Sequence, residues 1–161
     1  QNQAFNHIRN QMLTGQFWEA ERVVSDMIPK WNHYRTIANN YGLELSCYEI
    51  GNHLNGVGGG DDLINFMHQF SVSPQMGEVY QATFDAVRAA GFDGPIAMSV
   101  ECRYPDNNTM HGLQRWLGDH NPAWSVVDSI NRLNNGPNNR SETDFIGEHE
   151  GAEHFEPLPE P

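Results

Sequence analysis

The chain has 161 residues, 38% of them hydrophobic, with 21 acidic and 9 basic side chains and a net charge of −12. That length supports one domain with a sizeable core. The acid excess argues against a nucleic-acid face, which needs clustered Lys and Arg, and equally against an anionic membrane surface.

The first 40 residues read as helix. "FNHIRNQML" places Phe5, Ile8, Met12 and Leu13 at helical spacing, and "FWEAERVVSDMI" does so with Phe17, Val23, Val24 and Met27. Pro29 is expected to interrupt this run. "KWNHYRTIANNYG" resumes it, with Gly42 as the stop. "LELSCYEI" then reads as a strand from about Leu43 to Glu49. A glycine-rich loop, "GNHLNGVGGG", follows. "DDLINFMHQFSV" is helical, with Asp61 and Asp62 as its caps, until Ser73-Pro74 breaks it. "QMGEVYQATFDAVRAAG" is a further helix with Met76, Val79, Tyr80, Phe84 and Val87 on one side, ended by Gly91. "GPIAMSVECRY" is a second strand. "NPAWSVVDSINRLNNG" is a last amphipathic helix, with Asn121 as cap and Pro122 at its first position.

Beyond Gly136 the composition turns polar, Pro-containing and acidic: seven carboxylates follow Ser141 with no Lys or Arg. Residues 1–136 are therefore read as the folded part and 137–161 as a tail or linker. The chain opens on Gln1 rather than Met, and is read as a piece of a longer polypeptide. It has no signal-peptide pattern and no run of about 18 apolar residues, so no membrane insertion is expected.

Strands that alternate with helices imply an α/β fold with parallel pairing. In the second strand Ala97, Ser99 and Glu101 share one face, and Ile96, Met98, Val100 and Cys102 the other. A small or polar face opposite a greasy one suits a parallel barrel, whose apolar side meets helices while the other points inside. In the first strand Leu45, Cys47 and Glu49 would then point inward. Cys47 and Cys102 would lie on opposite faces and form no disulfide; two cysteines make neither a disulfide scaffold nor a metal site. Two strands alone make a poor sheet, so the chain is expected to supply the C-terminal strand–helix units of an incomplete (β/α)8, or TIM-like, barrel. Glu49 and Glu101 both end their strands on the C-terminal side, where such barrels carry their active sites.

Each polar candidate has a structural reading beside its functional one. Glu49 is an ion-paired strand end, or an ionised carboxylate on a rigid support at a barrel mouth. His53 packs the loop, or contacts substrate and orients Glu49. Glu101 and Arg103 form a rim ion pair, or contact substrate. Tyr104 and Trp116 stack on a ligand ring, or, for Trp116, anchor the last helix as Trp124 does. No cofactor and no metal are expected. "GVGGGDD" lacks the Gly-Lys-Ser/Thr of a phosphate loop. Asp61 and Asp62 lack calcium-loop spacing, and the histidines never fall at His-Glu-x-x-His spacing.

"YGLELSCYEIGNHL" resembles a "YG-x-x-L-x-x-YEGG-x-H" signature. "AAGFDGPIAMSVECRYP…HGLQRWLGDHNPAW" is similar to a last strand and helix that carry "WGALRHLGD-x-NP-x-W". Both belong to secreted bacterial (β/α)8 proteins related to the retaining glycoside hydrolases of clan A. The resemblance runs from about Trp31 to Leu133. Where the signature has Gly-Gly, this chain has Ile50-Gly51.

The resemblance implies that Glu49 ends the seventh strand and is the nucleophile. The acid/base carboxylate would come from a fourth strand in the remaining N-terminal part of the barrel. Retention needs the two carboxylates about 5 Å apart, so the isolated chain is expected to be inactive. His53, Glu101, Arg103, Tyr104 and Trp116 would line a site for a polysaccharide or oligosaccharide outside the cell. The alternative is a non-catalytic carbohydrate-binding or structural module of a larger extracellular or particle-associated protein.

Overall fold

The computed structural model describes residues 1–17, 24–56, 58–94, 96–98, 110–116 and 118–135. Five helices and two strands follow in the order α1 (Asn2–Thr14), α2 (Val24–Tyr41), β1 (Cys47–Ile50), α3 (Asp61–Ser71), α4 (Pro74–Ala89), β2 (Ile96–Met98) and α5 (Pro122–Asn135). One compact unit covers Gln1–Ser129. A second begins at Ile130, and its described residues are the end of α5. The tail at 137–161 lies outside the described residues.

Helix α4 is the hub of the first unit, in contact with α1, α2 and α3. Its start is set by Ser73, whose hydroxyl accepts the Met76 N–H at 3.2 Å, with Pro74 where a proline sacrifices no helical hydrogen bond. Met76, Val79, Tyr80, Phe84 and Val87 are all buried, as their spacing predicts. Phe70 of α3 is fully enclosed, and Phe5 of α1 lies edge-on to Phe66 and Phe70, with centroids 5.2 and 5.5 Å away. Gly77 lets α4 approach the start of α5, since a Cβ there would stand 2.9 Å from the Pro122 Cβ.

Pro29 does not interrupt α2, which runs through it to Tyr41. The ring forfeits one backbone bond, to the carbonyl four residues back, and the turns on either side carry the helix past it. Gly42 then takes a left-handed φ of 64°, as the stop signal requires. Trp31 of α2 lies edge-on to Phe92, 6.3 Å between centroids, which packs the helix on the turn after α4.

Nor do Asp61 and Asp62 cap α3 through their side chains. Gly60 holds the cap position, and both aspartates lie in the first turn, where the helix dipole favours negative charge.

The strands pair in parallel, β1 beside β2. The fold is thus α/β, with an extended β1 shorter than its sequence suggests: Leu43–Ser46 precede the strand rather than begin it. Those residues are held differently. Leu45 N–H donates to the Asp93 carboxylate at 2.8 Å, and the Leu45 carbonyl accepts from Asp93 and Gly94 N–H at 3.3 and 3.1 Å. Asp93 also accepts from Arg35 of α2 at 2.8 Å. Its carboxyl is held below the usual range, first by the Leu45 N–H and then by Arg35. Gly94 is required by crowding, since a Cβ there would lie 2.9 Å from the Ser46 Cβ.

The register corrects the expected facing of β1. Cys47 stands opposite Ile96 and Ile50 opposite Met98, three residues of β1 spanning two of β2. Partners across a ladder point to one side, so Cys47 shares the apolar side with Ile96 and Met98 rather than the inner face with Ala97. The irregularity breaks strict alternation before it reaches Glu49.

Candidate functional site

The candidate site lies at the C-terminal end of the two-stranded sheet. Glu49 is the penultimate residue of β1, between exposed Tyr48 and half-buried Ile50, and is itself exposed. Among the described residues no cation pairs with its carboxylate. Its backbone carbonyl accepts the Cys47 thiol at 3.3 Å. Burial pushes that thiol up from its ordinary value.

Beyond Ile50 the chain is anchored at once. Asn52 is buried, and both its N–H and its side-chain amide donate to the Tyr80 hydroxyl of α4, at 3.2 and 3.3 Å. Burial raises the Tyr80 phenol above its usual range. The Asn52 side-chain oxygen accepts the Leu54 N–H at 3.2 Å, closing a tight Asx turn. Leu54 is buried, and its carbonyl accepts the Met110 N–H at 3.1 Å. Met110 is almost fully enclosed. The loop after β1 is thereby tied both to α4 and to the segment that follows β2.

His53 projects between these anchors. It is exposed, and its ring stacks on that of His111, 5.1 Å between centroids and 28° between planes. The glycines behind it form a turn, with Gly59 N–H donating to the Gly56 carbonyl at 2.9 Å. A side chain at Gly59 would collide with Leu63, its Cβ only 2.5 Å from the Leu63 Cδ2. At Gly59 the missing side chain thus serves a close approach to α3, whereas a Cβ at Gly58 or Gly60 would meet nothing within 4 Å.

A second cluster follows. Asp119, only 5% exposed, accepts from the Arg115 backbone N–H at 3.1 Å, from Arg115 Nε at 2.8 Å and Nη2 at 2.8 Å, and from Asn121 Nδ2 at 3.2 Å. The Arg115 guanidinium holds the Asp119 carboxyl far below the usual carboxylate range. Asn121 Nδ2 also donates to the Leu113 carbonyl at 2.8 Å, while Asn121 Oδ1 accepts the Trp124 N–H at 3.0 Å and caps α5. The Arg115 guanidinium lies over the Trp116 indole, 4.4 Å from its centroid, and Trp116 is 50% exposed. Trp124 is half-buried.

Of the residues singled out in sequence, Glu49, His53 and Trp116 are therefore placed on the surface. Glu101, Arg103, Tyr104 and Cys102 lie outside the described residues. Four contributors were not singled out: Asn52, Tyr80, His111 and the Arg115–Asp119 pair. The last had a signal, an Arg and an Asp four residues apart just ahead of a capped helix. Among the described residues no group of three His, Cys, Asp or Glu side chains gathers as a metal site would, and no helix is long and apolar enough to cross a membrane.

The arrangement offers an ionisable carboxylate at a strand end, an imidazole pair beside the same end and a fixed indole face. The chain matches none of the family models, curated proteins or solved structures with which it was compared.

Proposed function

We propose that this chain is the C-terminal portion of a (β/α)8 barrel that acts on a carbohydrate outside the cell by a retaining, two-carboxylate mechanism. Glu49 is the nucleophile, and the acid/base carboxylate comes from the rest of the barrel. One observation carries the reading: an exposed glutamate is the penultimate residue of a parallel strand, and the loop after that strand meets Met110 and His111 through the Leu54–Met110 hydrogen bond and the His53–His111 stack. Parallel α/β folds gather their chemistry at that end of the sheet. The sequence signature around Tyr48–His53 supports the same assignment. In this reading His53 lines the sugar site, together with Glu101, Arg103, Tyr104 and Trp116.

The chemistry asks Glu49 to attack an anomeric carbon while a protonated partner releases the leaving oxygen, then to leave as water enters. An exposed carboxylate near a strand end meets the first requirement. The test is Glu49→Gln in the complete protein, which removes the nucleophile at nearly constant shape. Turnover of a glycoside substrate is expected to be lost while the thermal unfolding profile is retained. The 161-residue chain alone is expected to show no turnover. Unchanged turnover in Glu49→Gln would overturn the assignment.

A second reading, a non-catalytic carbohydrate-binding or structural module, is favoured by the irregular register beside Glu49. A nucleophile needs a support fixed to within about 0.5 Å, whereas a binding surface does not. Under this reading Glu49→Gln leaves function unchanged.

A further inference from the structure

We infer that the outer stripe of α2, formed by Lys30, Tyr34, Ile37 and Tyr41, is the contact through which two copies of this chain pair, antiparallel about a two-fold axis. The inference rests on the stripe and not on the carbohydrate reading.

Helix α2 has two unlike flanks. The inner one is seated on the fold: Ala38 is buried, Trp31 lies edge-on to Phe92, and Arg35 bonds to Asp93. The outer one carries Tyr34, Ile37 and Tyr41 at exposures of 57%, 40% and 76%, with exposed Lys30 one turn before Tyr34. Steps of four, three and four residues keep these side chains on one side of a helix. The Tyr34 ring is braced by that of His33, 5.8 Å between centroids.

The stripe is complementary to itself. Its positions are symmetric about the midpoint between Arg35 and Thr36. Two α2 helices laid antiparallel on that midpoint set Tyr34 of each copy against Ile37 of the other. They also set Lys30 of each copy against the Tyr41 ring of the other. The first pairing is apolar and the second places a cation on an aromatic face. The symmetry makes each of them twice, as a closed isologous pair requires.

Charge favours the same occupant. The chain carries 21 acidic residues, yet none between Met27 and Leu43, and Lys30 is its only lysine. Asp26 and Glu44 fall outside the paired positions. A strongly basic partner would meet Lys30 and no carboxylate on the stripe. An acidic partner would meet one lysine within the field of a chain of net charge −12. Two copies repel at a distance for the same reason, but a screening length of about 8 Å at physiological salt leaves the local surface to decide at contact.

Area sets the strength. A covered aromatic side chain contributes about 150–250 Å². Two tyrosines, an isoleucine and a lysine stem thus offer roughly 500 Å² on each copy, about 1,000 Å² in all, where specific association begins and stays transient. A dissociation constant of about 10–100 μM corresponds to that size.

The experiment is sedimentation velocity of the 161-residue chain over a concentration series. The expected result is a monomer–dimer equilibrium that stops at two copies and tightens as salt rises to about 150 mM, because screening removes the long-range repulsion. Tyr41→Lys is expected to weaken the dimer about tenfold or more, since it sets a second ammonium against Lys30. Adding Lys30→Tyr to that variant exchanges ring and cation, and is expected to restore the dimer to within about threefold of the parent. The substituted sites are exposed, so melting temperature measured on dilute monomer should hold in each variant. Ile37→Gln, near the centre of the contact, is an independent disruption expected to weaken the dimer as well. The proposal is overturned if the chain is monomeric at about 500 μM, if association continues past two copies, if salt weakens it, or if the exchange is no tighter than Tyr41→Lys alone. A failed exchange would leave the stripe to a further strand–helix unit of one polypeptide. Glycoside turnover in Glu49→Gln is blind to all of these outcomes, so either idea can fail without the other.

Discussion

At the scale of single residues, Asp119 does the most with the least surface. Its carboxylate joins a loop backbone, a guanidinium and a helix cap, and all of these bonds favour the ionised form. Asp119→Asn keeps the shape but breaks the charge-assisted pair, with an expected loss of about 2 kcal/mol because Arg115 is partly exposed and retains solvent. The acid response has a definite sign. The folded carboxyl lies far below the ordinary aspartate value of about 3.9. Its contribution to stability is therefore complete above that ordinary value and fades as pH falls toward the depressed one. Urea unfolding at pH 7 and between pH 4 and about 2.5 checks this: the difference between parent and Asp119→Asn is expected to shrink as pH falls. Tyr80 is a second such residue. Its ring belongs to the core while its hydroxyl anchors Asn52. Tyr80→Phe leaves the ring packed and the buried Asn52 groups without that acceptor, an expected cost of about 1 kcal/mol in the same assay. Helical spacing marks Tyr80 as buried from the sequence alone. It says nothing about the far end of the side chain, which is why the anchor of the candidate loop is not legible there.

At the scale of elements, legibility follows how local the signal is. Helices α4 and α5 announce themselves through Ser73-Pro74 and Asn121-Pro122, and a cap acts within its own turn. The parallel pairing of β1 and β2 is legible from alternation of element types. Their register is not, because the register shift between Cys47 and Ile50 depends on the partner strand, and a period of two assumes an unbroken ladder. Pro29 misleads for the opposite reason: a local penalty is real, but contacts of α2 with α1 and α4 outweigh it. The contact of α4 with Pro122 gives a test in which two local effects oppose each other. Gly77→Ala gains about 1 kcal/mol in helix propensity. It also drives a Cβ to 2.9 Å from the Pro122 Cβ and 3.3 Å from the Pro122 carbonyl oxygen. Overpacking of this kind costs about 1–3 kcal/mol, so net destabilisation is expected and a lowered melting temperature is the readout. A raised melting temperature would mean that α5 yields freely at its first residue.

At the scale of the whole molecule, the notable feature is where large apolar side chains remain outside. Tyr34, Ile37 and Tyr41 recur at helical spacing along α2 and are exposed, as are Leu43 before β1 and Tyr48 within it, Tyr48 at 85% exposure. Single exposed hydrophobics need no explanation, but an aligned series does. Among the described residues β1 pairs with β2 alone. Parallel strands are ordinarily covered on both faces, and an open edge invites a further strand. A barrel that continued past β1 would cover both the edge and the stripe. The paired substitution Tyr41→Lys with Tyr48→Lys separates the alternatives. In the 161-residue chain both sites face solvent, so melting temperature should hold, within about 0.5 kcal/mol of stability, while concentration-dependent association by sedimentation velocity falls. In the complete protein the barrel reading buries the same sites. There the two lysines should destabilise by about 2 kcal/mol or more, since each charge must leave water or force its neighbours apart. Equal tolerance in both contexts would make the stripe an ordinary solvent face, and the barrel would lose the support it draws from this surface.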